Sequence, residues 1–187
     1  MRIISGDLKG SSLYLPKNKN TRPLKDLVRE SIFNLLTHSN KISFNIEQSD
    51  VLDLFSGTGA FGLECLSRKA KHVCFVENYK EILPILKNNL SNLKTVKNYS
   101  IIEKNILIDI DFLEKKEKFD IIFLDPPYKE NNISNFLNII IKTKLLKING
   151  IIIIHRHKKK IDIFPDSFKI IEEKVYGISK IIFGTYR

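Results

Sequence analysis

From about residue 50 onward, short apolar runs bounded by turn residues alternate with longer amphipathic stretches, and this alternation constrains the fold more than any other feature of the chain. Apolar runs without a period of two suit strands buried on both faces, and the amphipathic stretches between them suit helices that cover a parallel sheet. Strands are expected at 51–55, 72–76, 100–103, 119–124 and 150–154, with helices at 60–68, 79–93 and 133–146. Ile82, Ile85, Leu86 and Leu90 give the second helix its spacing, while Pro84 argues for a kink or a late start there. At the end of the chain, 168–175 and 178–186 read as two strands joined at Tyr176-Gly177, an antiparallel hairpin on the sheet edge.

Residues 1–45 lie outside the alternation. Two strand-like pieces, 2–5 and 11–15, precede an amphipathic helix at 24–36, so the reading is an N-terminal appendage on an α/β domain spanning 46–187. No run approaches the roughly 18 apolar residues a membrane span requires, and Met1 to Gly10 lacks the apolar segment of a secretion signal, so a cytoplasmic chain is expected. Cys65 and Cys74 lack His or Cys neighbours at ligand spacing and read as core fillers, with no metal implied. A net charge of +10 favours a polyanionic partner, although the wealth of Ile, Lys and Asn is also what A/T-biased coding produces.

Two motifs carry chemistry. Asp53-Leu54-Phe55-Ser56-Gly57-Thr58-Gly59-Ala60-Phe61-Gly62 sits where a buried strand turns into a helix. Its glycines allow a ligand close to the backbone at a helix N-terminus. The second strand then ends in Glu77, a carboxylate suited to both hydroxyls of an adenosine ribose. NAD and S-adenosylmethionine both contain that ribose, so these features alone leave the cofactor open. Asp125-Pro126-Pro127-Tyr128, at the carboxyl edge of the sheet, decides between them. An exocyclic amine on a base is a poor nucleophile because its lone pair is delocalised into the ring. With one N–H accepted by the Asp125 carboxylate and one by the Pro126 carbonyl, the nitrogen can pyramidalise toward a sulfonium methyl. Proline stiffens that carbonyl, and Tyr128 offers a ring for the base to stack on. A base held in this way is flipped or looped out of its helix.

On these residues the chain resembles the amino methyltransferases of the S-adenosylmethionine-dependent, Rossmann-like class I fold, whose motif is Asp or Asn, Pro-Pro and an aromatic. More narrowly it resembles the bacterial RsmD family. The resemblance covers Met1-Arg2-Ile3-Ile4-Ser5-Gly6, the block from Arg22-Pro23-Leu24-Lys25 through Arg29-Glu30 to Asn34, both motifs and Val175-Tyr176-Gly177. It implies transfer from S-adenosylmethionine to N2 of a guanine in 16S ribosomal RNA, within an assembling or assembled small subunit. It also implies catalytic roles for Asp125, Pro126, Pro127 and Tyr128. The cofactor would be held by Asp53, Phe55, Ser56, Gly57, Thr58, Gly59, Gly62, Glu77 and Asn105, the last at the adenine. Tyr79 stands where the family usually has an acidic residue, and Ser5 where it usually has Gly. Arg22, Lys25 and Arg29, near one face of a helix begun by Pro23, read as an RNA clamp in the appendage. Surface ion pairing of Arg29 and Glu30 is the structural alternative. His155, Arg156 and His157 leave the fifth strand near the same edge, before Lys158-Lys159-Lys160, and their reading stays open between phosphate contact and structure.

The rivals are a DNA adenine-N6 or cytosine-N4 methyltransferase, for which the chain has no room for a target-recognition domain, and the protein glutamine methyltransferases, which carry Asn at the place of Asp125. An NAD-dependent oxidoreductase gives Asp125 to Tyr128 no role, and the intact motif argues against a non-catalytic RNA-binding protein. A monomer is expected.

Overall fold

The computed structural model describes residues 1–16, 24–42, 44–106, 118–127 and 129–186. Among these, one sheet contains β1 (Asp50–Leu54), β2 (His72–Val76), β3 (Tyr99–Ile102), β4 (Phe119–Leu124), β5 (Leu146–His157), β6 (Phe168–Tyr176) and β7 (Ser179–Tyr186). The helices are α1 (Asp26–His38), α2 (Ala60–Ser67), α3 (Leu83–Asn92) and α4 (Ile133–Lys142). The strand order is β3-β2-β1-β4-β5-β7-β6, parallel from β3 to β5 and antiparallel through β7 and β6. Successive strands add outward from β1 to β3 and then restart on the other side with β4. The crevice at the carboxyl ends of β1 and β4 is therefore a topological switch point, where open α/β sheets bind ligands.

Each central strand is buried on both faces, so alternate residues feed two cores. Val51, Val73, Phe75, Ile121, Phe123, Ile151 and Ile153 point to one, with α1 and α2 packed on it. Leu52, Leu54, Val76, Ile122, Leu124, Ile152 and Ile154 point to the other, which α4 covers. In the first core Phe61 stacks on Phe123 with ring centroids 4.0 Å apart and on Phe33 at 5.3 Å, a ladder joining β4, α2 and α1. Truncating Phe61 to Ala is expected to cost about 3–5 kcal/mol. Both cysteines are buried, and burial pushes the Cys65 thiol well up.

Pro84 falls in the first turn of α3, so the late start holds and no kink is needed. The helix α4 stops earlier than its apolar pattern suggests. Thr143 and Lys144 N–H close back on Ile139 and Ile141 carbonyls, and Lys144 takes φ +51°, ending the helix and letting Leu146 begin a strand. β5 is accordingly much longer than its apolar run and extends through His155, Arg156 and His157, which pair with β7.

The N-terminal residues are woven into the first core. Arg2 and Ser12 form an isolated antiparallel bridge where two strand-like pieces are expected. Ile3, Leu13, Val28, Ile32 and Phe33 pack in the same cluster as Phe61 and Phe123. Glu64, fully buried in α2, accepts the Ile4 and Ser5 N–H groups at 2.8 and 2.9 Å and pairs with Arg68 at 3.1 Å. Arg29 completes this knot and so does not offer the phosphate contact that its helical spacing predicts. Its side chain is 0% exposed, lies 3.6 Å from Glu64 and donates to the Arg2 carbonyl and to Asp26. Burial pulls its guanidinium below the ordinary value while Glu64 and Asp26 pull it back up. The alternative of a surface pair with Glu30 fails as well, because the partner is the buried Glu64.

Candidate active site

A cavity of about 780 Å³ opens at the switch point. One wall is the turn between β1 and α2. Phe55, Gly57 and Gly59 all take positive φ there (+63°, +54° and +81°), so the chain reverses tightly at the edge of the cavity. For Phe55 that conformation is unfavourable, and its ring is held edge-on against Phe136 at 5.0 Å. Ser56 Oγ, 2.6 Å from the Asp53 carbonyl, fixes the turn from within. Phe55, Ser56, Gly57, Thr58 and Asp53 line the cavity as expected. Gly59 and Gly62 do not: a Cβ on Gly62 would fall 2.3 Å from the Phe75 ring, so this glycine lets α2 pack against β2.

Asp53 is buried beneath the turn, with Oδ2 accepting the Gly62 N–H at 3.1 Å. Burial pushes its carboxyl well above the usual range; the Gly62 bond opposes this, and the nearby Asp125 and Glu77 add to it. Glu77, at the end of β2, holds the turn itself. Its Oε2 accepts the Gly57 N–H at 2.7 Å, and Oε1 accepts those of Asn78 and Tyr79 at 2.8 and 2.9 Å. A carboxylate has about four lone-pair positions, so one remains for a ribose hydroxyl unless a backbone partner is displaced. Asn105 lines the same cavity, as do Tyr79 and Ile82.

The opposite wall is Asp125, Pro126 and Pro127, which follow β4. Tyr128 and Arg22 lie outside the described residues. Lys25 is exposed one position before α1 and does not reach the cavity, although its neighbour Leu24 does. Sequence reasoning left unresolved the groups that hold the motif. His155, on the cavity face of β5, places Nδ1 2.8 Å from Asp125 Oδ1 and Nε2 2.9 Å from Ser179 Oγ in β7. Arg156, on the reverse face, is fully buried, clasps Asp162 with its fork and donates to the Glu130 carbonyl at 2.7 Å. Glu130 in turn accepts the Asn131 and Asn132 N–H groups just before α4. The end of β5 thus grips the motif loop from both faces. The Ser-His-Asp order is not that of a hydrolase, because Ser179 is 2% exposed and off the cavity wall while Asp125 lies on it.

A doubly covered sheet with a glycine turn, a carboxylate ending the second strand and Asp-Pro-Pro at the switch point defines a Rossmann-like class I methyltransferase, and its methyl donor is S-adenosylmethionine. The cavity volume, the close backbone approach at Gly57, Glu77 and Asn105 fit that donor. Over residues 1–185 the chain matches the family described as Conserved hypothetical protein 95, known as the RsmD family, and it belongs to that family. It is 35% identical to Ribosomal RNA small subunit methyltransferase D of Haemophilus influenzae, over 95% of this chain and 90% of that protein. The protein of the same name from Escherichia coli K12 is 30% identical, over 95% and 85%. The solved structure of yhhF from Escherichia coli superposes with a TM-score of 0.81 at 28% identity, covering 100% of this chain and 97% of that one.

Proposed function

We propose that the chain transfers the methyl group of S-adenosylmethionine to the exocyclic N2 of a guanine in 16S ribosomal RNA, in the assembling or assembled small subunit, as a cytoplasmic monomer. The observation that carries this reading is the convergence of Asp125 and Pro126 with the Gly57 turn and Glu77 on one cavity at the sheet edge. The names of the relatives, which are small-subunit ribosomal RNA methyltransferases, support the class of substrate.

When bound, the donor supplies a methyl group on a sulfonium, open to in-line attack by a lone pair. The chain's own task is to prepare the amine. Asp125 accepts one N–H through the oxygen that His155 leaves available, the Pro126 carbonyl accepts the other, and the lone pair leaves the plane of the base. The methylated nitrogen then releases its extra proton, for which the Asp125 carboxylate is the adjacent acceptor. Phe61 and Phe123 keep that side of the cavity apolar, which strengthens these hydrogen bonds. Lys129 on the cavity wall and the exposed Lys25, Lys158 and Lys159 offer cations to the RNA backbone, with residues 1–45 supplying part of that surface.

The test is transfer of labelled methyl to undermethylated small subunits, naked 16S RNA and duplex DNA, each digested to nucleosides. Label is expected in N2-methylguanosine. Label in deoxyadenosine or deoxycytidine would overturn the guanine assignment and keep the Asp125 chemistry. The Asp125→Ala variant should lose about a hundredfold or more in kcat while still binding the donor.

A further inference from the structure

The chain Asp125–His155–Ser179 runs inward from the cavity wall and is not needed to hold the fold together at that point, since the backbone of β5 and β7 is already paired from Ile152 to His157. Its geometry has a chemical consequence. An ionised carboxylate only accepts hydrogen bonds, so the nitrogen 2.8 Å from Asp125 Oδ1 must carry a proton. In the neutral ring Nε2 is then an acceptor, and the group 2.9 Å away, Ser179 Oγ, is able to donate to it. An isolated imidazole has no such constraint and exchanges between tautomers.

Resting on the amine-methylation reading above, we propose that His155 and Ser179 are positioning residues for Asp125. The Asp125 carboxylate selects the Nδ1–H tautomer, and Ser179, donating to Nε2, anchors the far side of the ring. That N–H engages Asp125 Oδ1 and turns Oδ2 toward the base amine. In the opposite tautomer a lone pair would face the carboxylate, and Asp125 would turn away or take up a proton, losing its grip on the amine in either case. His155 thus acts on the reaction through Asp125 without touching the base.

Two measurements test this. Long-range nitrogen NMR of the imidazole, without substrate, should find the Nδ1–H tautomer for His155 in the wild type, with an Nε2 resonance shifted by a hydrogen bond that is lost in the Ser179→Ala variant. In methyl-transfer assays that variant should lose about tenfold in kcat at pH 8 with donor affinity unchanged. His155→Asn, which keeps a side-chain N–H, should retain more kcat than His155→Ala. An Nε2–H tautomer in the wild type, or a His155→Asn variant no more active than His155→Ala, would overturn the proposal. A wild type that methylates no RNA would instead overturn the reading beneath it, while the tautomer spectrum still decides the hydrogen-bond chain.

Discussion

Among the described residues Arg29 and Arg156 are the two largest that the fold buries completely, yet they tie down different things. Arg29 meets Glu64 in the core between α1 and α2 and anchors the N-terminal residues to the domain. Arg156 meets Asp162 on the far side of the sheet and anchors the loop that follows Asp125. Both pairs are desolvated, so each costs free energy to bury and a great deal more to break. The difference is what moves when they are broken: around Arg29 the appendage comes loose, and around Arg156 the motif does. A buried ion pair can therefore serve folding or the geometry of a site, and only its neighbours tell which.

The largest effect that would sharpen this contrast is on stability. Arg29→Ala should lower unfolding free energy by about 3–5 kcal/mol in urea titrations, with kcat per folded molecule little changed. Replacing both partners, as Arg29→Met with Glu64→Gln, should recover part of that loss; no recovery would mean the pair is not the reason Arg29 is buried. For Arg156→Lys the order is reversed: the fork onto Asp162 and the reach to Glu130 are lost, so kcat should fall about tenfold for a stability loss of about 1–2 kcal/mol. Equal kcat for that variant and wild type would break the comparison.

Smaller effects come from single charges. Asp53 keeps its proton to a higher pH in the folded chain than in the unfolded one, so the stability tied to it is complete at low pH and drains away as pH rises through the folded value. Asp53→Asn does not titrate but keeps an acceptor for Gly62. Its stability relative to wild type should rise between pH 5 and 8, by on the order of 1 kcal/mol, as read from urea midpoints at the two pH values. Smallest of all, Lys25→Ala should reduce the salt slope of RNA binding by about one and leave kcat unchanged.

Much of this was legible in the sequence because it is local. β2 and β4 fall on the expected residues, being apolar runs closed by turn signals, and the Gly57 turn, Glu77 and Asp125 each sit where a strand ends. What escaped depends on distant partners. The strand β5 runs on through His155 and Arg156 because β7 pairs with it, and those polar side chains find Asp125, Glu130, Asp162 and Ser179 only once the sheet exists. Arg29 misled for the same reason, since helical spacing puts it on a face but does not say that Glu64 lies beneath that face. The end of α4 was lost to chemistry of another kind, because Leu145 and Leu146 continue an apolar pattern that helix and buried strand share.

The hold of Glu77 on the amides of Gly57, Asn78 and Tyr79 has a consequence for how the donor arrives. The turn that receives it is already frozen by the chain's own carboxylate, so its conformational entropy is surrendered during folding and not at the moment of binding. Association then resembles an exchange of partners at one carboxylate within a rigid seat. It should proceed with little change in amide exchange at those three residues, and without the slow step that an ordering loop would impose.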